Sequence, residues 1–268
     1  MLKMFMTSSF LFPPQTKEVQ VDEKWSFVGK KEKMLDPNIP NDEGKGDQWD
    51  HTAIDAESRL LLALVPGKRT TENSVQLIEE VKKRTGGRTD ILITSDEHAP
   101  YEVAIKKVYG EEVTPPKKPG PGRNPKPIKV VPAELGYATV RKTRKEGRVI
   151  QVIRKLVFGT LVLLASFLAT STASNTINTS FVERNNGTDR GQNARKRRKT
   201  YCFSKSLDVH ISVSYFVGYG YNFMWPVRTL DLKSVEGRKI KRTPAMAAGL
   251  ANHVWTLKEW CTFPAFSS

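Results

Sequence analysis

The chain has 268 residues, 38% of them hydrophobic and 26% charged, which is enough apolar content for a buried core and excludes a disordered tail. Its 43 Lys and Arg against 28 Asp and Glu leave a formal net charge of +15, favouring a polyanionic partner, with nucleic acid the commonest. Cys202 and Cys261 have neither zinc-site spacing nor the density of a disulfide framework, and they fit a reducing compartment.

The opening "MLKMFMTSSFLFPP" has a short apolar run and no clear cleavage site, so no signal peptide is expected there. "KEVQVDEKWSFVGKK" alternates: Val19, Val21, Trp25 and Phe27 on one face, Gln20, Asp22 and Lys24 on the other, a strand pattern. "WDHTAIDAESRLLLALVPG" predicts a hairpin turning through Asp55–Ser58. "TTENSVQLIEEVKKRTGG" predicts an amphipathic helix capped by Thr71, with Val75, Ile78 and Val81 inward and Gly86 at its end. "TDILITSD" reads as a short buried strand, and "APYEVAIKKVYG" as a helix with Pro100 in its first turn. Thr114 to Pro132, rich in Pro, Gly and Lys, is expected to be an extended basic linker. "YATVRKTRKEGRVIQVIRKLVFG" predicts a hairpin turning at Lys145-Glu146-Gly147.

The uncharged run from Leu156 to Ala173 has the length of a membrane span, but its best apolar part, "LVFGTLVLLASFLA", suits a buried helix. "GYNFMWPVRTLD" is expected to pack and close the C-terminal part. His51, His98 and His210 are expected to be packed or surface residues rather than catalytic ones. The order of elements is mixed α/β and fits an RNase H-like sheet among several others.

Three carboxylates sit at structural joints. Asp22 lies in the first strand, Asp96 where "TDILITSD" runs out, and Glu183 near the start of a late helix. Taken singly, each has an ordinary structural role open to it. Asp22 can be a polar-face residue, Asp96 can bond the following turn, and Glu183 can close a capping box with Ser180. Gathered into one site they would repel, unless a divalent cation neutralised them. Mg²⁺ takes a few carboxylates with waters and phosphate oxygens, and a pair of such ions supports phosphodiester transfer.

"VQVDEKWSFVGKK", "DILITSDEHAPY", "NTSFVERNNGTDR", "RKTYCFSKSLDVH" and "RTPAMAAGL" resemble, in order, the motifs of DDE transposases from prokaryotic insertion sequences. The likeness is to small insertion elements whose catalytic domain can be encoded in a second reading frame, and it runs from about Val19 to Trp260. It implies an RNase H-like core, an α/β mixed sheet flanked by helices. The implied ligands and catalytic residues are Asp22, Asp96 and Glu183, the implied cofactor two Mg²⁺ or Mn²⁺ ions. The implied reaction is hydrolysis at element ends, then transesterification of the freed 3′-hydroxyl into target DNA. The implied boundaries are an N-terminal extension (1–18), a first part of the core (19–113) and the linker (114–133). A hairpin insertion (134–158), the remainder of the core with the Glu-bearing helix (159–225) and a C-terminal extension (226–268) follow.

The expected DNA-contacting cations are Lys24, Lys30 and Lys31 near the first acid, with Trp25 read as core. Arg184, Arg190, Arg195, Arg197, Arg198 and Lys199 are expected around the Glu-bearing helix, where Lys196 continues the same run. Relatives usually carry a recognition module ahead of the first Asp, and about twenty residues are too few for one. Either the full product is longer, or a separate DNA-recognition polypeptide supplies that module, or this copy is truncated; a homo-oligomer is expected, to bring two ends together. The resemblance places the apolar run inside the catalytic domain, so no membrane partner is expected, and the location expected is cytoplasmic and nucleoid-associated. Asn185 stands where many relatives have His, and Gly187 and Gly191 weaken the helix by roughly 0.5–1 kcal/mol each against Ala. The alternative is a catalytically inactive, basic DNA-binding relic or regulator.

Overall fold

The computed structural model describes residues 15–263 apart from 37, 118–124 and 235. Most of the expected N-terminal extension, the centre of the linker and residues 264–268 lie outside the described residues. Six strands form one mixed sheet in the order β3-β2-β1-β4-β7-β8. These are β1 (Glu18–Val28), β2 (Gly46–Asp55), β3 (Leu61–Gly67), β4 (Leu92–Ser95), β7 (Gly136–Lys145) and β8 (Arg148–Phe158). Strands β1, β2 and β3 are an antiparallel meander, β4 runs parallel to both β1 and β7, and β8 returns antiparallel to β7. This is a mixed sheet flanked by helices, consistent with an RNase H-like core.

Helices α1 (Thr71–Arg84) and α2 (Ala99–Tyr109) cover one face of the sheet. Val75, Leu77, Ile78 and Val81 of α1 and Tyr101, Ala104 and Ile105 of α2 join Val19 and Val21 of β1 in the main core. The cap of α1 is Thr70, one residue ahead of the expected Thr71. Its hydroxyl accepts from Asn73 N, because an extended residue must precede the helix to aim its oxygen back at the first turn.

Helices α4 (Ser180–Gln192) and α5 (Leu207–Met224) lie against the meander. The even-numbered residues of β1 point at them, so the polar face of the alternation is covered. Gln20, Lys24 and Ser26 are all buried. A central strand has both faces buried, and here its second face is polar because it meets a polar helix.

Three expectations change. The hairpin of β7 and β8 is not an insertion, because β7 pairs with β4 from Gly136 to Thr139 and completes the sheet. The linker is not wholly extended coil, since β6 (Ile128–Val130) pairs with β5 (Glu111–Val113) in a separate two-stranded ribbon. The apolar run yields only α3 (Leu161–Thr170), which has no buried residue, with Leu161 75% and Val162 81% exposed. Only its inner side, Leu164, Phe167 and Leu168, packs against Leu92, Ala138 and Ile177. Among the described residues no helix is long and apolar enough to cross a membrane.

Past α5, strands β9 (Leu232–Lys233) and β10 (Lys239–Ile240) form a small ribbon, and α6 (Pro244–Ala247) and α7 (Leu257–Thr262) follow. Phe223 at the end of α5 meets Trp255 at 4.6 Å and Trp260 at 5.7 Å, the aromatic closure expected of this part.

Candidate active site

Strand β1 pairs with β4 only as far as Gln20 opposite Thr94, and β4 ends at Ser95. Beyond that point β1 has an open flank. Asp22 stands there, and Asp96 follows directly from the end of β4. A cavity of about 580 Å³ opens between them, and its wall also includes Arg69, His98, Lys142 and Glu183. The three acids expected from the sequence therefore border one cleft.

Carboxylate oxygens of Asp22, Glu23 and Asp96 all lie within 4.8 Å of one another. Asp22 Oδ2 accepts from Asn186 Nδ2 of α4 at 2.8 Å, and Asp22 Oδ1 from Glu23 N at 2.9 Å. Asp96 Oδ1 accepts from His98 N at 3.2 Å, the turn contact open to it from sequence. Burial, then Asp96 and Glu23, push the Asp22 carboxyl up to about 7. Burial, then Glu23, also raises Asp96. Three carboxylates at this spacing offer hard oxygen donors only, and their mutual repulsion is relieved by a divalent cation. The donor set fits Mg²⁺ or Mn²⁺.

Glu183 has different neighbours. Its Oε1 accepts from the Thr179 hydroxyl at 2.6 Å and from Lys142 Nζ of β7. It stands outside the tight cluster, though its charge helps to raise Asp22. It does not complete a capping box with Ser180, because the residue at the N-cap is Thr179, whose side chain makes no cap bond. The first turn of α4 is capped from the sheet instead. Gln20 Oε1 accepts from Phe181 N at 2.9 Å and Val182 N at 3.2 Å, and Asn178 Oδ1 accepts from Ser180 N at 3.0 Å. Gln20 sits two residues before Asp22 on the same side of β1, so one strand positions one acid directly and the Glu183 helix indirectly.

No model of a protein family matches the chain, and none of the curated proteins compared with it does. Among solved structures, it is similar to a Mos1 transposase paired-end complex with left transposon end, at 18% identity and a TM-score of 0.22 over 40% of this chain and 36% of that one. It is also similar to a Mos1 strand transfer complex, at 21% identity and a TM-score of 0.23 over 40% of this chain and 34% of that one. A pre-cleavage Mos1 transpososome matches at 17% identity and a TM-score of 0.22, over 40% and 37%. The matches span about a third of the length of those chains.

The expected cations divide into two groups. Lys24 is a correction: it is 2% exposed, bonded to Asp189 and 3.2 Å from Asp50, so it ties α4 to β1 and β2 and offers no charge at the surface. Lys196 is likewise buried against Asp50. Lys30 pairs with Asp42 at 2.9 Å. Lys31 is exposed and lies over the half-buried Trp25 ring at 5.7 Å. Arg184, Arg197, Arg198 and Lys199 are exposed, and Arg190 and Arg195 are half-buried.

The sequence reading passed over Glu23. Alternation puts it on the opposite face of β1 from Asp22, where it meets Arg69 at 3.0 Å and lies 3.9 Å from His98. Past the end of β4 the Glu23 carboxylate still comes within 4.8 Å of those of Asp22 and Asp96, although it is buried and is not on the cleft wall. An adjacent Asp-Glu pair in the middle of the predicted first strand was the available signal. Of the histidines, His210 is buried between Ser204 Oγ at 2.9 Å and Ser26 Oγ at 3.3 Å, and burial, then Lys196, pushes it down to about 4. It remains a neutral packing group.

Proposed function

We propose that the chain is a metal-dependent DNA strand transferase of the DDE transposase kind, and that Asp22, Asp96 and Glu183 hold two Mg²⁺ or Mn²⁺ ions. The observation that supports this most is the meeting of three acids, from β1, the end of β4 and α4, on the wall of one cleft in a mixed sheet. Glu23 joins the ligand set on its 4.8 Å spacing to Asp22 and Asp96. When bound, the ions supply an activated oxygen nucleophile and stabilise the leaving oxygen of the phosphodiester.

The protein's own groups orient and discharge the site. Asn186 fixes one Asp22 oxygen, and Asp22 would have to be ionised to hold a cation, so cation affinity is expected to rise as pH rises through about 7. Lys142, bonded to Glu183 in the structure, would share that carboxylate with a bound cation. The exposed cations Lys31, Arg184, Arg197, Arg198 and Lys199 take phosphates. On this reading the substrates are double-stranded element ends and target DNA, with two copies of the chain assembling on them.

Asp96→Asn is expected to abolish Mg²⁺- or Mn²⁺-dependent nicking of supercoiled plasmid and strand transfer. Non-specific DNA affinity should change less than about twofold, because surface cations supply it. Equal nicking by the variant would overturn the assignment. The second reading, an inert DNA-binding relic or regulator, draws on the ion pairs of Glu183 with Lys142 and Glu23 with Arg69, which satisfy two of the four acids without any ion. DNA binding by the native chain with no nicking in either metal would favour it.

A further inference from the structure

The ribbon of β7 and β8 extends beyond the sheet it completes. Strand β4 covers β7 only through Thr139, and the six residues Val140–Lys145 pair with β8 alone. At about 3.4 Å per residue they project roughly 20 Å past the end of β4, where Asp96 stands. Residues 141–155 hold seven Lys or Arg and a single acid, Glu146.

The cations are graded along the ribbon. At its base Arg141 lies 3.7 Å from Glu97 and Lys142 is bonded to Glu183, both on the wall of the acidic cleft. Farther out Arg144, Lys145 and Arg148 are exposed, and among the described residues none has an acidic partner. Between them Val149, Ile150 and Ile153 are 44%, 61% and 41% exposed.

We propose that this ribbon is a DNA-binding arm that grips the phosphate backbone of the duplex leading away from the cleft, an inference that rests on the reading of the cleft as a nucleic-acid site. A duplex carries one charge per roughly 1.7 Å of axis, so an arm of about 20 Å runs past about a dozen phosphates. A two-stranded ribbon has the width to follow a groove, where the exposed apolar groups meet sugars and thymine methyls. A second copy of this chain is the poorer occupant, because two arms of equal positive charge repel. Guarding an open edge strand against pairing requires only a charge or two, and the arm carries several beyond that.

The test is the triple variant Arg144→Gln/Lys145→Gln/Arg148→Gln, none of whose positions lies in the acidic site. Its affinity for a labelled duplex of random sequence is measured by anisotropy across a salt series, without divalent ions. The slope of log affinity against log salt is expected to become shallower by roughly 2–3 with an unchanged melting temperature, and an unchanged slope overturns the arm. Hydrogen exchange on the unaltered chain needs no variant: amides of residues 141–153 should gain protection on adding duplex, and their failure to do so overturns the arm equally. Plasmid nicking separates the two readings. A shallower slope without metal-dependent nicking keeps the arm and sinks the transferase. Normal nicking with an unchanged slope does the reverse.

Discussion

Glu18 shows at the scale of one residue what the buried polar face of β1 costs. It is 3% exposed, and burial raises its carboxyl to about 7, partly offset by the bond from Gln20 Nε2 at 3.0 Å. Its folded value lies above its ordinary value of 4.5, so the native state binds more protons between those limits. Stability from the neutral form is complete below 4.5 and is lost as pH rises through about 7. Glu18→Gln keeps a carbonyl acceptor for Gln20, so chemical denaturation should show no difference near pH 4 and a gain of about 3 kcal/mol above pH 7. An equal difference at both pH values would refute the account. Single residues were also where sequence reading was least complete. Asp22, Asp96 and Glu183 stood out by type and by place. Lys24 looked like a surface cation because nothing in a strand pattern says that its polar face will be roofed by a helix. Glu23 was hidden because alternation places it on the opposite face of β1 from Asp22, and only the folded chain shows their carboxylates within 4.8 Å.

Among elements, the start of α4 is the informative case. The Ser180–Glu183 spacing suggested a local cap, yet donors of the first turn are met by Gln20 from 161 and 162 residues away in the chain. Gln20→Ala removes the acceptor for two helix-start amides, one buried and one half-buried, and should cost about 2 kcal/mol in chemical denaturation. Ser180→Ala, which removes only an exposed hydroxyl's bond to Asn178, should cost less than about 0.5 kcal/mol. Equal losses would mean that the cap is local after all. Strands β1 to β4 and helices α1 and α2 were legible because period and turn chemistry are local properties. The membership of β7 in the central sheet was not, since it depends on parallel pairing with a strand four elements earlier in the core. The burial of α3 was overestimated because hydrophobicity states a preference for cover and does not say what provides it.

At the scale of the molecule, a net-neutral group of four buried charges joins four segments of chain. Lys24 of β1 meets Asp189 of α4 and Asp50 of β2, and Asp50 also meets Lys196 of the turn that follows α4. Desolvation makes such a group costly, and removing one member strands the others. Lys24→Met alone should cost about 3–5 kcal/mol, whereas Lys24→Met with Asp189→Leu should recover a large part of that. Additive losses in the double-mutant cycle would show that the charges do not act as a unit. The even-numbered side of β1 thus works as a ruler for the whole fold. Gln20 clasps a helix start, Asp22 faces the cleft and Lys24 locks the layers, at successive steps of one pleat. A slip of one residue against β2 would turn all three away together. Mispaired chains would therefore lose anchorage and the acidic cleft in the same event, leaving no well-folded population with a scrambled centre.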